Sequence, residues 1–207
     1  MTPSTPPLSP ASAPSLLHCI RSATEPVGWT DLFPKPHPLE LELGAGDGSF
    51  LLRYAAAHPE RNFVGVERLA GRLSKIDRKG RRLGLVNLRA IRFEAAYLLR
   101  YLIPSGELEA IHVYFPDPWP KLKHRHYRLV NDDFPALAAR SLRPGGVVHL
   151  RTDDADYFAQ MQRVFAASPR FEPVPTPSEL LAIRTYFEEE FNARGITTLH
   201  ASYRFGR

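Results

Sequence analysis

The chain has 207 residues, 43% of them hydrophobic and 24% charged, which fits one globular domain with a core of its own. A single cysteine, Cys19, excludes a disulfide framework and a thiolate metal site, and no apolar run is long enough for a membrane span. The net charge of +5 favours a polyanionic partner, because cations that neutralise phosphates release counterions.

Residues 1–15 are Pro, Ser, Thr and Ala with little to bury, and are expected to form a disordered tail ahead of one domain over 16–207. Residues 16–20 are expected to open a short helix. From Pro38 onwards strand and helix signals alternate, which argues a mostly parallel sheet with helices on both faces. Strands are expected over 39–43, 62–67, 86–93, 109–115 and 147–152, and helices over 50–57, 70–83, 94–101, 132–142 and 155–167. Arg143-Pro144-Gly145-Gly146 is expected to close the fourth helix, and 171–174 with 197–205 to form a final antiparallel pair. The result is an α/β, Rossmann-like, seven-stranded sheet with an antiparallel C-terminal strand.

Chemistry gathers where these strands end, the edge at which open α/β sheets bind ligands. The first strand runs into Glu42-Leu43-Gly44-Ala45-Gly46-Asp47-Gly48. Alternate glycines permit a tight turn and close approach of a ligand to the backbone. A dinucleotide loop needs G-x-G-x-x-G, and here Ser49 stands where the last glycine belongs. Glu42 and Asp47 would repel a pyrophosphate and suit a cation. That charge logic favours S-adenosylmethionine, which carries a sulfonium and an ammonium; a plain strand-to-helix turn is the bland alternative. Glu67 ends the second strand, about twenty residues beyond the loop, where an acid binds ribose hydroxyls. Glu94 follows the third strand and either accepts the adenine amino group or serves as a helix N-terminal charge.

The helix after Glu67 carries Arg68, Arg72, Lys75, Lys79 and Arg82 on one face, with Leu69, Leu73, Ile76 and Leu83 as its buried stripe. The fourth strand runs into Phe115-Pro116-Asp117-Pro118-Trp119-Pro120-Lys121. Three prolines fix three φ angles and remove three donors, leaving a stiff loop that displays a carboxylate, an indole and an ammonium. Trp119 either stacks on an exposed base or packs under the loop. A second basic cluster follows, made of Lys121, Lys123, His124, Arg125, His126 and Arg128. Together the two clusters suggest a path for a phosphate backbone. Thr152 or Asp153 at the end of the fifth strand is a candidate cap for the next helix. Thr185-Tyr186-Phe187-Glu188 opens an amphipathic surface helix.

Taken as an ordered set from 39 to 205, these segments resemble the bacterial TrmB-type tRNA (guanine-N7-)-methyltransferase family, within the class I S-adenosylmethionine-dependent methyltransferases. L-E-L-G-A-G-D-G, V-G-V-E, F-P-D-P-W-P-K, R-P-G-G, T-D and T-x-F-E follow in the family's order. The resemblance implies methyl transfer from S-adenosylmethionine to N7 of a guanine in the tRNA variable loop, tRNA position 46. It implies cofactor contacts from Glu42, Gly44, Gly46, Gly48, Glu67, Glu94 and Asp117, and makes Asp117 the catalytic residue. It implies substrate contacts from Lys121, Asp153, Thr185, Tyr186, Phe187 and Glu188, no metal, and a cytoplasmic enzyme that is a monomer or homodimer. Glu94, Asp154 and Tyr186 depart from the family's commoner residues. The competing readings are a class I methyltransferase acting on another RNA or a small molecule, and a non-catalytic RNA-binding subunit of the same fold.

Overall fold

A computed structural model describes residues 14–29 and 32–206. The expected tail thus lies outside the described residues except for Pro14 and Ser15, and the Ser15 hydroxyl donates to Asp77 Oδ1 at 2.9 Å.

The strands are β1 (Leu17–His18), β2 (Leu39–Leu43), β3 (Asn62–Glu67), β4 (Leu88–Arg92), β5 (Leu108–Tyr114), β6 (Leu142–Thr152), β7 (Phe171–Val174) and β8 (Leu199–Phe205). The helices are α1 (Ser49–Ala57), α2 (Ala70–Arg82), α3 (Ala95–Tyr97), α4 (Phe134–Ser141), α5 (Ala155–Ala166), α6 (Ser178–Ala182) and α7 (Tyr186–Ala193). A π-turn at Leu98–Leu102 extends α3, and a 3-10 turn spans Leu122–Tyr127. The sheet order is β1-β4-β3-β2-β5-β6-β8-β7; β8 runs antiparallel to both neighbours and the other pairings are parallel.

Seven strands match the expected sheet, and the eighth is β1, where a helix was expected. Leu16 and its flanks extend instead because partners hold them: Leu16 N donates to Asp77 Oδ1 at 2.7 Å, and Ala90 N donates to Leu16 O at 2.9 Å. Pairing to an open sheet edge outweighs the weak helix signal of so short a segment. Arg143–Gly146 does not simply close α4; it bulges inside β6, since Leu142 pairs with Leu108 but Val147 already pairs with Ala110.

β2, Leu-Glu-Leu-Glu-Leu, is buried throughout. Period-two alternation sends its leucines to one face, into a core that α4, α5 and the π-turn cover, and its glutamates to the other. On that second face α1 and α2 pack a separate cluster around Phe50, Leu51, Phe63 and Ile76. Burying a carboxylate costs several kcal/mol unless it is paired. Glu40 is paired twice, with Arg61 Nη1 at 2.5 Å and His112 Nε2 at 2.7 Å. His112 also meets Tyr114 Oη at 2.8 Å and stacks on His149, whose Nδ1 lies 2.8 Å from Ser202 Oγ. A polar file therefore crosses β2, β5, β6 and β8 beneath α1.

The expected apolar stripe of α2 is only half realised. Leu73 and Ile76 are buried, while Leu69 and Leu83, at its ends, are more than half exposed. Gly80 completes the buried face, because its missing side chain leaves room for Leu16.

Candidate active site

From β2 the strand order runs outward both ways, so the loops after β2 and β5 part at the switch point. The loop after β2 holds Gly44, Gly46 and Gly48 at φ of 82°, 56° and 77°, a region that L side chains rarely adopt. A Cβ on Gly44 or Gly46 would meet open space, whereas one on Gly48 would sit 2.8 Å from Ile76 Cγ1. The first two glycines therefore face open space, and the third lets α1 approach α2. Gly65, the glycine of V-G-V-E, serves the same packing, since a Cβ there would lie 2.5 Å from Leu51 Cδ2.

A cavity of about 330 Å³ opens here, lined among others by Gly44, Glu67, Glu94, Asp117, Trp119 and Tyr127. Glu67 accepts from the amides of Gly46, Arg68 and Leu69 at 3.1, 2.7 and 2.9 Å, which fixes its carboxylate at the end of β3. Glu94 is the N-cap of α3, accepting from Ala96 N and Tyr97 N, and lines the cavity as well. Both readings of Glu94 thus remain compatible with one position. Glu42 lies beneath the glycine loop, 3% exposed, with its Oε2 unpartnered. Burial pushes its carboxyl up to about 8; Arg151 opposes the rise, and Asp47 and Glu67 add to it. Asp47 is held below the usual carboxylate range by Lys79, at 2.8 Å, against the desolvation of partial burial. An orphaned buried carboxyl oxygen beside two more acids fits a ligand cation and would oppose an anion.

The loop after β5 is stiffer than three prolines alone would make it. Phe115 and Trp119 have positive φ, 50° and 43°. Such strain persists only where the surroundings over-determine it. Phe115 N donates to Arg151 O at 2.8 Å, and Arg128 Nε donates to Pro118 O at 2.7 Å. Arg128 is 1% exposed, bonded to Gln160 and Asp156, with its guanidinium 4.7 Å from the Tyr157 ring centre. Arg128 is therefore the anchor of the loop and no part of a surface basic cluster. Arg125 is also engaged by Asp156, at 2.9 Å. Asp117 is exposed and, among the described residues, has no hydrogen-bond partner. Trp119 is 37% exposed and meets His124 edge-on and Tyr127 at 5.1 Å, so it both packs on its own loop and keeps one side open.

Lys121 is exposed at the end of this loop, and Asp153 follows β6. The cap of α5 is neither Thr152 nor Asp153 but Asp154, which accepts from Tyr157 N at 2.7 Å. Thr185 and Glu188 form the capping box of α7. Both are buried, and Glu188 also pairs with Arg151 at 2.9 Å. Tyr186 and Phe187 are exposed, 56% and 40%. Phe187 reaches towards the prolyl loop, its ring 6.4 Å from that of Phe115.

Two residues that organise this end of the sheet escape sequence reasoning. Ser49, noted only as a missing glycine, accepts from Tyr186 N at 2.9 Å and ties α7 to the start of α1. Arg151 is 1% exposed, lies over the Tyr114 ring at 4.2 Å, and donates to Glu188 and to the carbonyls of Leu180 and Ile183. The signal available for Arg151 was a lone cation inside the apolar strand V-V-H-L-R.

The strand order, with its antiparallel β8 beside β6, is that of a class I methyltransferase. The crystal structure of the 16S rRNA methyltransferase KamB superposes with a TM-score of 0.62 at 17% identity, over 86% of this chain and 93% of that one, a likeness of fold alone. Within that class the sequence places the chain more narrowly. It belongs to the tRNA (guanine-N(7)-)-methyltransferase family. The methyltransferase family model Methyltransf_4 matches residues 36–201. The relative from Nitrosomonas eutropha is 36% identical over 73% of this chain and 67% of its own length. That from Alkalilimnicola ehrlichii is 35% identical over 86% and 75%.

Proposed function

We propose that this member of the family methylates N7 of the guanine at tRNA position 46, with S-adenosylmethionine held in the cavity at the switch point. The observation that carries the reading is the unpartnered Asp117 carboxylate, held by a pinned loop on the wall that Glu67 and the glycine loop complete. When bound, S-adenosylmethionine supplies an electrophilic methyl group on a sulfonium sulfur. Guanine N7 offers a free lone pair, so attack needs no general base. Transfer would exchange the carbon–sulfur bond for an N7–carbon bond and leave the positive charge on the purine.

The protein's part is placement and charge. Glu67 receives the ribose hydroxyls and Glu94 the adenine amino group. Gly44 and Gly46 give the backbone its close approach, Gly48 keeps the loop seated on α2, and the orphaned Glu42 carboxyl oxygen offers the ammonium an acceptor. Asp117 accepts N–H donors of guanine or cofactor and favours the cationic purine as the methyl arrives. Orientation of this kind supplies on the order of 7–11 kcal/mol of a barrier in favourable cases. Trp119 offers a face to a flanking base. Lys121 and Asp153 contact the RNA, and Thr185 and Glu188 hold α7 so that Tyr186 and Phe187 meet it. Transfer of labelled methyl from S-adenosylmethionine to tRNA tests the reading. Label should enter ordinary tRNA and be absent from tRNA with 7-deazaguanine at that position; equal labelling of both overturns it.

A further inference from the structure

Beyond the cavity, on the far side of the glycine loop, the surface continues as two hollows. The first, about 330 Å³, lies between Asp47, Arg72, Lys75, Tyr186 and Phe187. The second, about 440 Å³, runs on past Asp47 and Tyr186 to Arg53, Lys79, Arg82 and Leu83. Arg72 lines both the cavity and the first hollow, so the three form one path.

Five cations border the two hollows, Arg53, Arg72, Lys75, Lys79 and Arg82, against two carboxylates, Asp47 and Glu189. Lys79 binds Asp47 at 2.8 Å and Arg53 binds Glu189 at 2.7 Å. Arg72 keeps only a 3.5 Å contact with Glu67. Lys75 and Arg82 are exposed and have no partner among the described residues. The exposed Tyr186 ring and Leu83 give the same path an apolar wall. At the start of α7 the amides of Thr185, Tyr186 and Glu188 are spent on its capping box and on Ser49. The cluster after the prolyl loop contrasts with it, since Arg125 and Arg128 are committed to Asp156.

We propose that this groove between α2 and α7 is a second docking track for the substrate RNA, in which Lys75 and Arg82 neutralise backbone phosphates and Tyr186 stacks on a base. The proposal rests on the reading of the cavity as the guanine-methylating site. A net cationic face continuous with that cavity fits the polyanion whose base enters it, and exposed aromatics beside a basic groove suit single-stranded segments. The track widens the footprint from the prolyl loop across the glycine loop to the far end of α2.

The test compares the full-length protein with Lys75→Glu/Arg82→Glu, and with Arg143→Glu/Arg163→Glu as a control of equal charge change on other surfaces. Three quantities are measured: tRNA affinity by fluorescence anisotropy across a salt series, S-adenosylhomocysteine affinity by calorimetry, and single-turnover transfer at saturating tRNA. For the groove variant, tRNA affinity should fall about tenfold or more, and the salt slope should become shallower by about two, one for each phosphate no longer neutralised. Its affinity for S-adenosylhomocysteine and its single-turnover rate should stay within about twofold of wild type. Unchanged tRNA affinity and slope, or an equal loss in the control, overturns the track. A groove variant that loses tRNA affinity beside a wild type that labels 7-deaza tRNA overturns the reaction and leaves the surface standing.

Discussion

Asp117 and Glu42 are both acidic residues at this end of the sheet, and their surroundings set them apart. Asp117 is exposed and, among the described residues, has no hydrogen-bond partner, so replacing it by Asn leaves the fold alone. Asp117→Asn should lower single-turnover methyl transfer by about a hundredfold, a typical loss for a group aimed at transition-state charge, with an unchanged melting temperature. Near-full turnover with normal binding removes the charge role. Glu42 is buried, and its carboxyl is raised from 4.5 to about 8. Between these values the folded protein keeps a proton that the unfolded chain has lost, so this group's contribution to stability falls as pH rises through that window. Glu42→Gln should therefore gain in melting temperature relative to wild type on going from pH 5 to pH 9. A constant difference between the two proteins across that range refutes the raised carboxyl. Sequence alone put Glu42 at the site through its place before the glycines. Its protonation was not legible there, because burial and the nearby Arg151 are set by strands distant in the chain.

Among elements, the strand-to-helix junctions were the most legible, because a glycine loop, a strand-end acid and a proline-stiffened loop each announce themselves locally. Arg128 shows the limit. In sequence it is one of six basic residues between 121 and 128, and only the arrival of α5, bringing Asp156, Gln160 and Tyr157, turns it inward. β1 was missed for the same reason, since its partner strand and Asp77 lie more than sixty residues away. Glycines test the packing of these elements. Gly65→Ala forces a methyl against Leu51 and should cost about 1–3 kcal/mol in urea unfolding, the usual penalty of overpacking. Gly71→Ala, on an open face of α2, should gain roughly 0.4–1 kcal/mol by restricting the unfolded chain. Equal effects at the two positions would show that β3 and α1 pack loosely enough to absorb a methyl.

For the molecule as a whole, the polar file beneath α1 governs the response to acid. Burial pushes His149 from 6.5 down to about 3. Glu40 is held at about 2 despite its burial, by the hydrogen bonds and charges of His112 and Arg61. The unfolded chain takes up both protons first, so stability falls as pH drops from about 6.5 for His149 and from about 4.5 for Glu40. His149→Gln should flatten the decline of urea midpoint between pH 6.5 and pH 5, and an unaltered slope would move the sensitivity elsewhere. Among the described residues no helix is long and apolar enough to cross a membrane. The last two strands carry a different consequence. β7 and β8 are antiparallel neighbours, which a two-residue hairpin can join, yet 175–198 intervenes with α6 and α7. The β7–β8 pairing does not itself require that excursion, which packs at the end of the sheet where the glycine loop lies. Besides the ties to Ser49 and Arg53, it must fill one buried socket, Arg151: a replacement segment must bring a carboxylate and two carbonyls to meet that guanidinium, or leave a buried charge unpaired at a cost of about 3–5 kcal/mol.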